Sequence, residues 1–164
     1  MTEIDKDILA TFLFYVKKNL DADTLKLFAK LSNYNTGLFN TKRKQHLKNE
    51  VAFVSIFICD SIAKSNKISD LQTVLNLIFK TEFQDVNEIE WYKTLNIRLN
   101  QYYNVANSEQ YGGLSAVIGS FLVYLFSIDN KIPSFFSQTG LTEFIGKYSE
   151  ELLNSICKLQ NGKK

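Results

Sequence analysis

Two stretches of this chain present almost no polar face to water. Residues 51–58 are apolar on every side apart from Ser55, and residues 114–128 carry only Ser115, Gly119, Ser120, Ser127 and one tyrosine hydroxyl among hydrophobic side chains. A helix that is apolar all round has to be enclosed by others, so a chain with two of them needs amphipathic partners packed around both. The run at 51–58 also suits a strand by composition, but its flanks are helical in character and unbroken, which favours helix. The second run has fifteen residues, short of the roughly 20 that a membrane-spanning helix needs. It reads as a second central helix of the same core, and no membrane span is expected.

The rest of the sequence supplies the partners. One proline, Pro133, and seven glycines interrupt 164 residues. So few breakers suit long helices and argue against an all-β fold, which needs frequent turns. A first helix is expected over residues 5–19, with Ile8, Leu9, Phe12, Leu13 and Val16 inward at three- and four-residue steps. Asp5 and Asp7 lie at its positive end, Lys17 and Lys18 at its negative end. A second spans 23–31, with Leu25, Phe28, Ala29 and Leu31 inward and Asp21 or Asp23 as cap. Residues 32–41 read as a loop containing Gly37. The long third helix covers 44–64. The fourth covers 70–79, capped by Ser69 or Asp70. The fifth opens at Asp85 or Asn87 and runs to about 104, with Val86, Ile89, Tyr92, Leu95, Leu99, Tyr102, Tyr103 and Ala106 on its buried side. After a loop ending in Gly112-Gly113 comes the sixth, 114–128. Pro133 and Gly140 punctuate an irregular piece with one helical turn at 134–137. Thr142 caps the seventh, which ends near 159 with Phe144, Ile145, Tyr148, Leu152, Leu153 and Ile156 inward. The prediction is an all-α globular bundle of about seven helices in a single domain, residues 1–164, with 160–164 as a frayed tail.

Composition bounds the function. The chain is 45% hydrophobic and 22% charged with a net charge of +2, ordinary for a globular domain and too weakly basic to imply nucleic acid. The start, Met1 to Asp7, is acidic and lacks the basic and apolar segments of a secretion signal. Cys59 and Cys157 form no C-x-x-C pair and read as buried thiols in a reducing compartment, so cytoplasm is expected. The Asn, Lys and Ile usage points to an AT-rich, bacterial genome.

One echo stands out: residues 65–69 (Ser-Asn-Lys-Ile-Ser) and 129–133 (Asp-Asn-Lys-Ile-Pro) match and each follows an apolar helix. They read equally as joints of a duplicated bundle or as coincidence. The second joint is loosely similar to the helix–turn–helix joints of tellurite-resistance B-like domains, with Asp129 at the family's acidic position. Asn130 stands where those joints carry glycine, so no metal role is carried over.

Catalytic motifs are scarce. His46, the single histidine, lies in a basic segment with Lys44 and Lys48 and reads as a surface or capping residue. Zinc sites built on His and Cys, Ser-His-Asp triads, di-iron Glu-x-x-His pairs, phosphate loops and dinucleotide fingerprints lack their residues; no metal and no cofactor is expected. Glu50 and Asp60 share a loose face of the third helix, about 80° apart by helical periodicity. A buried carboxylate must be paired or protonated, and Asp60, beside Cys59 and Ile62, is the stronger candidate, with an ion pair as the plain reading. Lys42, Arg43, Lys44 and Lys48 form a basic cluster near Phe39, offset by Glu82, Asp85, Glu88 and Glu90.

The strongest functional expectation concerns the fifth helix. Trp91, Leu95, Arg98 and Tyr102 recur at steps of four, three and four, as a stripe displaced from the main apolar face. Trp, Tyr and Arg are the residue types enriched in interface hot spots, and Arg makes planar contacts that Lys cannot. Trp91, Arg98, Tyr102 and Glu88, joined by Tyr111, form the expected partner-binding face; the competing reading is that Trp91 flanks the core and Arg98 lies over it. The function expected is a non-enzymatic protein-interaction module, an adaptor, immunity or regulatory protein, whose partner is another protein or a second copy. The alternative is a binder of an apolar small molecule beside Phe53, Phe57, Phe121 or Tyr124. An enzyme using a buried carboxylate comes last.

Overall fold

The computed structural model describes residues 3–37, 40–68, 71–108, 112–129 and 131–162. Among them are seven α-helices, one 3-10 turn and no strand. In chain order the helices are α1 (Glu3–Asn19), α2 (Ala22–Ser32), α3 (Thr41–Ser65), α4 (Leu71–Glu82), α5 (Glu88–Ala106), α6 (Leu114–Phe126) and α7 (Phe135–Asn161). The 3-10 turn Ser127–Asp129 follows α6. The fold is an all-α helical bundle, and no described helix is long and apolar enough to cross a membrane.

α3 is the axis of the bundle. It packs against α1, α2, α4, α5 and α6, and every side chain from Val51 to Cys59 is buried. The one hydroxyl in that run, Ser55, accepts a hydrogen bond from Asn19 Nδ2 of α1 at 3.0 Å, so no polar atom there is left orphaned. α6 differs. It buries Val117, Ile118, Phe121, Leu122 and Leu125 against α3, α5 and α7, but Val123 is 57% exposed and Ser115 faces water. Its apolar sequence therefore overstates its enclosure. Small residues let α7 approach one flank: Gln138 Nε2 donates to Ser115 O at 2.8 Å, and a Cβ at Gly119 would stand 3.1 Å from that nitrogen.

Side chains define the helix starts. Asp21 caps α2 by accepting from Thr24 N at 2.7 Å, Asn40 caps α3 through Arg43 N, and Asn87, not Asp85, caps α5 through Glu90 N. α2 ends on Asn33 in the left-handed region, whose N–H reaches back to Ala29 O and Lys30 O. The proposed cap residues of α4, Ser69 and Asp70, lie outside the described residues, as does part of each half of the 65–69 and 129–133 echo.

The largest departure from expectation is at α7. Ser134 Oγ accepts from Ser137 N, and a continuous helix runs from there to Asn161. Residues 134–137 are its cap and first turn, not a separate piece. Gly140 sits inside it, and Thr142 Oγ1 donates to Gln138 O, a bond within the helix rather than a cap. Gly140 weakens a helix by about 1 kcal/mol relative to Ala, a cost that packing against α2 and α6 offsets.

Candidate functional site

The structure gathers four of the residues singled out by sequence around one solvent-open cleft between α3 and α5. His46, Glu50, Trp91 and Arg98 line it with Phe53 and Glu90, and its volume is about 240 Å³. Glu50, not Asp60, is the deeply buried acid: it is 2% exposed. Arg98 neutralises it in a two-pronged pair, with Nη2 2.8 Å from Oε1 and Nε 3.0 Å from Oε2. Such planar bonds are the strong form of an Arg–carboxylate contact. The guanidinium carbon lies 3.5 Å from the centre of the Tyr124 ring on α6, a cation–π contact on its other side. Arg98 thus ties α5 to α3 and α6 together. Burial pulls its pKa down, but the hydrogen bond and charge of Glu50 outweigh this and hold it above its ordinary value.

Trp91 and Tyr102 are not displaced from the core. Trp91 is 2% exposed, and its indole sits among Phe53, Phe79, Phe83 and Tyr92 with ring centroids 5.1–5.4 Å away. Tyr102 is fully buried and touches Phe57 edge-on. The stripe Trp91–Leu95–Arg98–Tyr102 is the inward face of α5, and it is Ile89, expected inside, that is 77% exposed. The physical reason is area. Facing Trp91 and Tyr102 inward buries two large rings in a ready aromatic nest, and Glu50 makes the inward Arg98 tolerable. Of the expected partner-binding residues only Glu88 is exposed, beside Ile89 and Glu90 on the first turn of α5. Tyr111 lies outside the described residues.

The cleft's chemistry is largely self-satisfied. His46 Nε2 lies 3.1 Å from the Tyr124 carbonyl, which accepts from the Nε2–H tautomer. Thr94 Oγ1 donates to Glu90 O. Neither cysteine lines the cleft, and Cys59 is buried with its thiol pushed well above its ordinary pKa by burial and by Asp60. Among the described residues three buried donors lack partners: Trp91 Nε1, Tyr102 Oη and, away from the cleft, Tyr34 Oη. Burial, with the charge of Glu50, raises the Tyr102 pKa well above its ordinary value, against the opposing pull of Arg98. Asp60 accepts from Lys64 Nζ and Tyr103 Oη, both at 2.7 Å, the ion pair its surroundings require. Among the described residues, no three His, Cys, Asp or Glu side chains are grouped to hold a metal.

Lys42, Arg43 and Lys44 of the basic cluster occupy the first turn of α3, where the helix dipole is already positive and cations are unfavourable, and Lys48 follows a turn later. Arg43 is relieved by an ion pair with Asp129 and lies 5.2 Å over the Tyr34 ring; Lys48 bonds the carboxylate and carbonyl of Glu82. Lys42 is exposed.

Sequence reading missed the most unusual surface of the molecule. Ile132 is 94% exposed, Phe135 76% and Phe136 85%, at the joint between α6 and α7. Ser137 takes the inward slot of the first turn of α7, where its hydroxyl reaches Ser32 O of α2 at 3.2 Å. Leu141, Ile145, Leu152 and Ile156 continue that inward stripe. Phe135 and Phe136 are off it and point out, their rings 6.4 Å apart and edge to face. A signal existed in the Ser134-to-Ser137 spacing of a capped helix start, but Gly140 and Thr142 drew the expected cap eight residues downstream.

No protein family, no curated protein and no solved structure matches the chain.

Proposed function

We propose that this chain is a non-enzymatic protein-interaction module that docks through the apolar tip formed by Ile132, Phe135 and Phe136. The observation that carries this reading is the exposure of those three side chains. Each large apolar side chain is worth about 1.5–3 kcal/mol when fully buried, so three side by side favour a covering surface. The cleft argues the other way for itself. Its buried acid, Glu50, is paired with Arg98, and its one histidine is engaged with a backbone carbonyl. Nothing in it couples a nucleophile to a base. A ligand inside the bundle is also disfavoured: Phe121 is fully buried, and the hollows bordered by Phe53 and Phe57 are open surface features. Cys59 and Cys157 are free thiols, which suits a reducing cytoplasm.

The test is a photo-crosslinking residue placed at Phe136 and, as control, at exposed Ala10, in the native host. Protein adducts at position 136 well above the control support docking at the tip. Equal yields at both positions reject it.

A further inference from the structure

We infer that the covering surface is a second copy of this chain, with the tip of one molecule seated in an apolar groove of the next. The inference rests on the tip being a docking surface and adds the identity of its partner. The groove lies between the C-terminal half of α3, the start of α6 and the second half of α7. Phe57, Ile58, Ile62, Leu114, Val117 and Leu153 line it almost entirely with apolar atoms. Its volume is about 370 Å³. A cavity of about 150 Å³ accommodates one benzene ring, so the groove has room for the two phenyl rings that the tip presents.

The two features are at opposite ends of the molecule. Phe135 and Leu153 lie on the same unbroken helix eighteen residues apart, about 27 Å at 1.5 Å per residue. No molecule can therefore fold its tip into its own groove. Leu153 was expected inward by periodicity and is 39% exposed because the groove uncovers it.

The charges match as well. At the tip end, Lys131 and Lys42 are exposed and enter no ion pair among the described residues, next to the positive end of α3. The chain from residue 24 to residue 49 contains no acidic residue at all. At the groove, Glu150 is exposed on the rim and likewise enters no described ion pair. Tip against tip would oppose like charges. Tip into groove brings Lys131 toward Glu150. Because the two surfaces differ, the contact is head-to-tail: each added copy leaves one free tip and one free groove, so assembly extends or closes into a ring.

The experiment is sedimentation of the full chain over a wide concentration range, with circular dichroism to confirm folding. Wild type is expected to rise above the one-chain mass with concentration. Phe135→Ser/Phe136→Ser, which removes the tip, and Leu153→Glu, which charges the groove, should each weaken association at least about tenfold. Mixed together, these two variants should form a capped two-chain species and nothing larger, because one keeps a groove and the other a tip. Glu150→Lys covers the event that Leu153→Glu does not fold; it should weaken association about fivefold at low salt, the upper range for an exposed pair. Wild type that stays monomeric at every concentration overturns the inference. So does association that the tip variant leaves intact, or a mixture that stays monomeric. If the monomeric wild type still gives crosslinks at position 136, their mass identifies a different protein, and docking at the tip survives without self-assembly. Tip-dependent flotation of monomers with anionic phospholipid vesicles would assign the tip to a lipid surface and overturn both readings.

Discussion

Glu50 is charged and buried, with a half-buried Arg98 as its partner; Ile132, Phe135 and Phe136 are apolar and exposed. Both regions reverse the usual distribution, yet their local accounts differ. Within the cleft Glu50 and Arg98 have their partners, in two-pronged hydrogen bonds and a tyrosine ring stacked on the guanidinium. At the tip the two rings stand edge to face with most of their surface in water. A buried polar group that is satisfied serves the fold, whereas an exposed apolar group that is unsatisfied needs a partner outside it.

Stability measurements can break that contrast. Arg98→Met leaves Glu50 buried without its counter-ion and should cost about 3–5 kcal/mol in urea unfolding. The double variant Glu50→Leu/Arg98→Met should recover most of that loss, since an apolar pair can replace a buried ion pair with little penalty. A double variant no more stable than the single one would show that Arg98 acts through Tyr124 rather than Glu50.

The next effect is on pH. Cys59 is pushed up from an ordinary value of 9.0 by burial and then by Asp60. Tyr15 and Tyr102 are pushed up from 10.0, both first by burial and Tyr102 then by the charge of Glu50. Each raised group stays neutral in the folded chain at a pH where the unfolded chain ionises it. Their contribution is therefore intact below about pH 9 and is lost as pH rises. The urea midpoint should fall steadily from pH 8.5 to 11, and Cys59→Ala/Tyr102→Phe should flatten the decline. A midpoint independent of alkaline pH would contradict the burial of these groups.

Ser134→Ala removes the cap that starts α7 and should cost about 1 kcal/mol. Because that cap sets the orientation of the first turn, the variant should also weaken photo-crosslinking at position 136. The smallest expected effect belongs to the tip itself. Phe135→Ser/Phe136→Ser should change stability by no more than about 0.5 kcal/mol, as for surface positions without structural partners. A loss comparable to that of Arg98→Met would mean that the tip belongs to the core, and the contrast between the two regions would collapse.

Several features were legible in the sequence because they depend on local periodicity. The enclosure of residues 51–58, the inward residues of α1, and the presence of a cap at the starts of α2 and α5 follow from spacing and from side chains acting within one turn; the choice of Asp21 over Asp23 and of Asn87 over Asp85 came with the structure. The spacing of Trp91, Leu95, Arg98 and Tyr102 was equally visible, but its direction was not. Two apolar stripes competed on α5, and the choice depended on Phe53, Phe79, Phe83 and Glu50, which come from other helices. Likewise the acid worth watching proved to be Glu50 rather than Asp60, because burial is set by what packs over a residue and not by its neighbours in the chain.

What the sequence determined by itself was the all-α bundle: few breakers, two apolar cores and amphipathic segments to surround them leave little else. What only tertiary structure decided was which side of each helix faces out. Helical periodicity places residues on a common face but does not aim that face. The aim is fixed by the largest area the assembled helices can bury together. That preference turned Trp91 inward, opened the groove beside Leu153, and left Ile132, Phe135 and Phe136 in water.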